Sequence, residues 1–352
     1  MTRLAKRWKG LERLPYVALG IQDTPVERLA HLSKDTGARV WCKRDDRTSS
    51  LYGGNKVRKL EFLLGEARAR GCKSVITVGA LGSHHVLATS LFGKQAGFKV
   101  HAILGPQSPT PHVREQVLCD LAAAAQLHVV PSFALAVPAM HALSAKLTLM
   151  GERPCIIPAG GSSPVGALGY VEAGLEFAEE LDAGTAAEVS SIYLPFGTGG
   201  TVAGLAVGLA AAGVMSEIVA VRVTAKALAN RHALKSLIKK MVANLRACDT
   251  SFPDVADLAL QNVRIDSNEY GSGYGLPTAS GKEAEEKAAR DKLTVETTYT
   301  AKALASLIRE TRARGKDASV LYWHTLSSAD LSPLLRMAPP IPKSVERYLN
   351  AP

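Results

Sequence analysis

Short apolar runs rich in β-branched residues alternate along the chain with segments of helical period. Val40–Lys43, Ser74–Val78, Val100–Leu104, Leu127–Val130, Cys155–Ile157, Ser191–Phe196, Ile218–Val223 and Ser319–Tyr322 are predicted as strands. Most are apolar throughout instead of alternating, so both faces are expected to be buried, as in the parallel sheets of α/β proteins. Between them, Val57–Arg70 puts Val57, Leu60, Leu63, Leu64 and Ala67 on one helical face and meets Gly71, a fit residue just past a helix end. Val165–Leu181, Val202–Ala212, Lys282–Lys292 and Ala301–Arg314 read as further helices. Lys226–Leu260 is helical and mixed in charge, with no chemical signal, and the chain has no internal repeat. The pattern predicts an α/β fold of open, mostly parallel sheets flanked by helices.

The length of 352 residues exceeds one ordinary domain, so two are expected. With 47% hydrophobic and 21% charged residues, the chain fills a core and is no disordered polyelectrolyte. The longest apolar runs are too short for a membrane span. The start, MTRLAKRWKGLERL, is basic but has neither an apolar core segment nor a small-residue cleavage site, so no secretory signal is expected. Five scattered cysteines without a C-x-x-C pair read as reduced thiols of a cytoplasmic protein, and no metal site is expected. The net charge of +10 is spread along the chain, and aromatics make up only 5%, so a nucleic-acid stripe is not expected. Such a field would draw in small anions.

Three glycine-containing segments hold the candidate chemistry. In Tyr52-Gly53-Gly54-Asn55-Lys56-Val57-Arg58 a glycine pair precedes a lysine at the opening of a helix, where the helix dipole disfavours an ammonium. A lysine with weakened proton affinity suits Schiff-base chemistry, although the local pattern alone is better satisfied by a solvated helix-start lysine. The spacing does not fit a P-loop. Gly197-Thr198-Gly199-Gly200-Thr201 follows the strand Ser191–Phe196 and opens an apolar helix. Its amides and hydroxyls would face an anion. A dinucleotide fits less well than a monophosphate, because the next strand runs into Arg222 and Thr224 instead of an acid for a ribose hydroxyl. A tight turn without ligand stays open. The third segment, Gly79-Ala80-Leu81-Gly82-Ser83-His84-His85, is another strand-to-helix loop. Adjacent histidines do not share a helical face, and no Asp, Glu or Cys follows at ligand spacing. No G-x-S-x-G or H-E-x-x-H is present.

Taken together, GGNKVRKLEFL, PAGGSSPVGALGYVEA, the Gly197–Thr201 loop, YGLPT and TTYTAKALASLI follow one order. From Lys43-Arg44-Asp45-Asp46 to Tyr322-Trp323-His324-Thr325 the chain resembles the 1-aminocyclopropane-1-carboxylate deaminase/D-cysteine desulfhydrase family of pyridoxal-5′-phosphate enzymes. The resemblance implies the tryptophan synthase β-like fold, pyridoxal-phosphate fold type II. It implies a large domain from residues 1–54 and 161–352 and a small one from residues 55–160. It also implies a homodimer acting on a small-molecule amino acid.

Residue by residue, the resemblance makes Lys56 the imine-forming lysine and gives Gly197, Thr198, Gly199, Gly200 and Thr201 the phosphate. It sets Asn55 and His84 beside the cofactor and Thr325 at its pyridine nitrogen. Ser83, His84, His85, Tyr274 and Tyr299 would meet the substrate, with Lys56, Ser83 and the two tyrosines in catalytic roles. Two departures stand out. His84 replaces the family's asparagine, and Leu326 and Ser327 replace a glycine pair after Thr325. Where the deaminase form resembles Glu and Leu, this chain has Thr300 and Thr325, which match the desulfhydrase side. The implied reaction is α,β-elimination from a D-amino acid, with D-cysteine giving pyruvate, sulfide and ammonia. The alternatives are deamination of the cyclopropane acid, another deaminase, dehydratase or racemase reaction, and a diverged homologue that binds the cofactor without turnover.

Overall fold

The computed structural model describes residues 1–21, 23–314 and 317–349. Among these residues ten strands form two sheets: β1 (Val26–Arg28), β2 (Arg39–Lys43), β3 (Ser74–Ala80), β4 (Lys99–Gly105), β5 (Gln126–Val129), β6 (Pro154–Ile157), β7 (Ser191–Phe196), β8 (Glu217–Arg222), β9 (Val263–Asp266) and β10 (Ser319–Trp323). One sheet has the order β1-β2-β10-β7-β8-β9 and the other β5-β4-β3-β6. Every pairing is parallel except β1 with β2. All eight predicted strands are present. β1 and β9 were not predicted, because they are short edge strands with charged residues at Glu27, Arg28, Arg264 and Asp266, and carry little apolar signal. No described helix is long and apolar enough to cross a membrane.

The chain divides into two compact units. The first comprises Met1–Leu14, Gly20–Arg58 and Ser162–Ser328 and holds the six-stranded sheet. One of its cores packs Val40, Tyr193, Val219, Val320 and Tyr322 of the sheet against Leu304, Leu307 and Ile308 of the helix Thr300–Arg314. A charged network is buried there as well. Arg58 bonds Asp45 at 2.8 Å and Glu176 at 2.7 Å, and Lys43 reaches Glu176 at 2.6 Å. Tyr170 Oη and Trp323 Nε1 each donate to Asp45 Oδ2 at 2.7 Å. Burial alone would raise the pKa of Asp45, but the charge and hydrogen bonds of Arg58 outweigh it and hold the carboxyl below its ordinary value.

The second unit comprises Pro15–Leu19, Lys59–Gly161 and Ala329–Pro352 and holds the four-stranded sheet. Besides small shifts of the expected boundaries at residues 55–58 and 161, its make-up differs by two added segments. Residues 329–352 were expected with the larger domain, yet Val345 and Leu349 of the helix Lys343–Leu349 are buried with Leu104, Val113 and Val117. Pro15–Leu19 joins the same unit through Val17 N–H on the Glu61 carbonyl at 3.0 Å and Tyr16 Oη on Glu61 Oε1 at 2.9 Å. Both are long-range contacts that local patterning does not encode.

The helix Asn55–Ala69 starts in the first unit and continues into the second. Its predicted apolar face is buried, and Gly71 follows with φ of 66°. Arg58, Lys59 and Glu61 are buried too, so the helix is not simply amphipathic. Each of the three is matched by a charged or polar partner: Arg58 as above, Lys59 at the Gly160 carbonyl and Glu61 at Tyr16.

Candidate functional site

The start of the helix Asn55–Ala69 is tied to the segment after β10. Asn55 N–H donates to the Thr325 carbonyl at 3.1 Å, and Gly53 N–H to Ser327 Oγ at 2.9 Å. Gly54 makes this approach with φ of 89°, and a Cβ there would lie 2.6 Å from the Thr325 oxygen, so a side chain is excluded on both counts. The result is that Lys56 emerges next to Thr325.

Lys56 Nζ donates to Asn55 Oδ1 at 2.9 Å, and Asn55 Nδ2 donates to Thr201 Oγ1 at 3.0 Å. One side chain thus links the candidate amine to the candidate phosphate loop. Burial pushes the Lys56 amine down to about 8, against the opposing charge of Glu296. The weakened proton affinity expected from the sequence is present, but its leading cause is desolvation and not the helix dipole.

The loop runs from β7 into the helix Gly200–Ala211. Gly199 stands at the N-cap with φ of 90° and has no side chain of its own to cap the first turn. Ser162 Oγ lies 2.7 Å from Thr198 Oγ1 and accepts the Gly200 N–H at 3.1 Å. Around Gly197 the nearest atoms to a built Cβ are at 3.8 Å or more. Hydroxyls and backbone amides without an acidic group make this a fitting seat for a phosphate. A crowded amine one residue from Asn55 fits an aldehyde. Thr325 is buried and offers a neutral hydroxyl. The donor set therefore suits pyridoxal phosphate.

Tyr274 and Tyr299 come together although 25 residues apart in sequence. Their hydroxyls are hydrogen-bonded, and their rings meet edge to face with centroids 6.0 Å apart. Burial raises the pKa of both phenols; their shared hydrogen bond lowers that of Tyr274 and raises that of Tyr299, and both end above the ordinary value, so both stay neutral at ordinary pH. Tyr274 nevertheless keeps 44% of its surface exposed, with its hydroxyl end turned to Tyr299.

Sequence reasoning missed Ser162 and Glu296. Glu296 accepts the N–H groups of Thr298, Tyr299 and Thr300 at 2.7, 2.8 and 3.0 Å, fixing the segment that carries Tyr299. An acid just before a helical apolar run is a capping signal that points to it. Ser162 lies inside the PAGGSSPVG stretch, but only the tertiary contact gives it a role. Thr300, read as a specificity position, is 2% exposed and has its hydroxyl bonded to Glu296.

Ser83, His84 and His85 lie in the second unit. Ser83 caps the helix His84–Gln95, accepting Val86 N–H at 3.4 Å. The His84 ring lies 5.1 Å from that of His112. His85 is 3% exposed and 3.1 Å from Thr77 Oγ1, turned into its own unit. Such burial sets His85 apart from the expected substrate contact, because the helix start that leaves Ser83 and His84 half-buried carries the next residue inward.

The family described as pyridoxal-phosphate dependent enzyme matches residues 17–325. A D-cysteine desulfhydrase of Klebsiella pneumoniae (strain 342) is 34% identical over 326 residues, covering 90% of this chain and 95% of that protein. One from Salmonella schwarzengrund (strain CVM19633) is 32% identical over 325 residues, covering 90% and 94%. Among solved structures, an ACC deaminase homologue superposes with a TM-score of 0.76 at 30% identity, covering 94% of this chain and 98% of that one. Threonine deaminase isoform 2 from Solanum lycopersicum, at 16% identity and a TM-score of 0.64, covers 95% and 87% and shares the fold. By sequence along most of its length and by fold, the chain belongs to the pyridoxal-phosphate dependent enzyme family.

Proposed function

We propose that this enzyme catalyses α,β-elimination on a small D-amino acid, with D-cysteine and water giving pyruvate, sulfide and ammonia. The observation that carries the reading is the Lys56–Asn55–Thr201 chain of hydrogen bonds, which joins a desolvated amine to an amide-rich anion seat. The D-cysteine desulfhydrases at 32–34% identity support the substrate class. When bound, pyridoxal phosphate supplies the electron sink for the charge left at the substrate α-carbon.

The protein's part is proton handling and orientation. Lys56 Nζ, with its pKa near 8, is partly unprotonated at neutral to mildly basic pH and takes the α-proton. The tyrosine pair, kept neutral by burial, gives a proton to the departing sulfur. A neutral hydroxyl at Thr325, unlike a carboxylate, does not hold a proton on a pyridine nitrogen. Prompt loss of the β-substituent would then be favoured over prolonged storage of the charge left at the α-carbon. We assign Gly197–Thr201 with Ser162 to the phosphate, and Ser83 and His84 to substrate recognition.

A second reading is deamination of the cyclopropane acid, favoured by the likeness to the ACC deaminase homologue. Incubation with each compound separates the two. Sulfide and pyruvate from D-cysteine, with no ammonia from 1-aminocyclopropane-1-carboxylate, is the expected result. Ammonia from the cyclopropane acid alone reverses the assignment, and no product from either, nor from a panel of D- and L-amino acids, points to a binding protein. We further infer a cytoplasmic homodimer, for which sedimentation should give the mass of two chains.

A further inference from the structure

A buried cation next to the tyrosine pair has no part in the chemistry above. Lys302 is the third residue of the helix Thr300–Arg314 and is 0% exposed. Its ammonium donates to the backbone carbonyl of Tyr270 at 3.0 Å and lies 5.9 Å from the centre of the Tyr270 ring. Among the described residues no carboxylate pairs with it directly, and Glu296 and Glu269 act on it only through space. Burying a cation without a contact ion pair is unfavourable. One backbone carbonyl could be satisfied by a neutral donor at lower cost, so retention of a charge here needs a reason.

Its surroundings supply one. Tyr270 lies at the base of the segment that carries Tyr274, which is rich in glycine at Gly271, Gly273 and Gly275. Glu269, one residue earlier, is held by Arg309 Nε at 3.0 Å and Ser280 Oγ at 2.6 Å. Beyond Tyr270 the chain is exposed at Gly271, Ser272, Tyr274 and Leu276. Lys302 therefore grips this segment at the last anchored residue before Tyr274. The helix it grips from begins one residue after Tyr299, whose own segment is fixed by Glu296. The ammonium thus feels the charge of both carboxylates that hold the two tyrosine-bearing segments.

We propose that Lys302 is a positioning residue for the tyrosine pair: by holding the Tyr270 carbonyl from the helix that follows Tyr299, it sets the separation of the two phenolic hydroxyls. The inference rests on the reading of that pair as the proton donor of the elimination, but its structural half does not depend on it.

Hydrogen exchange on the cofactor-free chain, paired with kinetics on D-cysteine, tests both halves. In Lys302→Met, amides of Gly271–Leu276 should exchange at least about tenfold faster, while β7 and the helix Gly200–Ala211 stay as protected as in the parent. With cofactor bound, kcat should fall about tenfold or more and KM should move less, as expected when a group acting in the transition state is displaced. Lys302→Arg, which keeps charge and donor, should recover part of both. Unchanged exchange in Gly271–Leu276, or faster exchange spread evenly over the unit, overturns the proposal. If Lys302→Met does not fold, Lys302→Leu, which likewise removes the donor, replaces it, with the same expected and contrary results. An enzyme inactive on D-cysteine whose exchange still changes locally would sink the elimination reading while leaving the clamp in place.

Discussion

At the scale of single residues, the phenols of Tyr274 and Tyr299 share one hydrogen bond, and in the proposed reaction they share one proton-transfer task. Replacing either with phenylalanine should lower kcat for D-cysteine by about 10²–10⁴-fold, the usual contribution of a positioned acid. The double variant should lose little more than the worse single one, because groups that act as a unit are not additive. Additive losses, read from steady-state rates of pyruvate formation, would show that the two hydroxyls work separately. The helix starts at Lys56 and at the Gly197–Thr201 loop were legible in the sequence because a glycine pair before a lysine and a glycine–threonine turn before an apolar helix are local signals, whereas a role for Lys56 came from the resemblance and not from the local pattern. Glu296, Ser162 and Lys302 were not, since each gains its role from a partner that folding brings close. His85, beside Ser83 and His84 in sequence, is buried against Thr77, since a helix start turns neighbours to different sides.

At the scale of elements, the start of the helix Thr300–Arg314 decides how specificity can be altered. A carboxylate introduced at Thr300 would be buried beside Glu296, whose oxygens already accept three backbone N–H groups. Like charges so close are unfavourable in a desolvated place. Thr300→Glu should therefore lower the midpoint of thermal unfolding, while Thr325→Leu should leave it nearly unchanged. Combined, the two are expected to move preference from D-cysteine toward the cyclopropane acid. Paired melting curves and substrate competition check both, and an unaltered preference counts against specificity residing at these positions. Most strands were legible for a related reason. Parallel strands covered on both faces are apolar nearly throughout, so β3, β4, β7, β8 and β10 are visible as runs. β1 and β9 are the two edges of the six-stranded sheet, half covered and charged, and their pairing is decided by neighbours distant in sequence.

At the scale of the whole molecule, stability should depend on the buried network of Lys43, Asp45, Arg58 and Glu176. The carboxyl of Asp45 has a lower pKa in the folded chain than in the unfolded one. Its contribution is present above the unfolded value of about 4 and is lost as pH falls through the folded value. Denaturant unfolding of Asp45→Asn should show a loss of about 3–5 kcal/mol at neutral pH, as for a broken buried pair, and a shallower decline on the acid side. Equal stability of parent and variant at neutral pH would mean that the network is not a principal support of the first unit. The most direct measurement concerns the covalent claim on which the functional reading depends. Purified protein loaded with pyridoxal phosphate is reduced with borohydride, weighed intact and mapped by peptide mass. One phosphopyridoxyl group per chain, found on the peptide containing Lys56, is the expected result. A label on another lysine, or none after saturation with the cofactor, would contradict it.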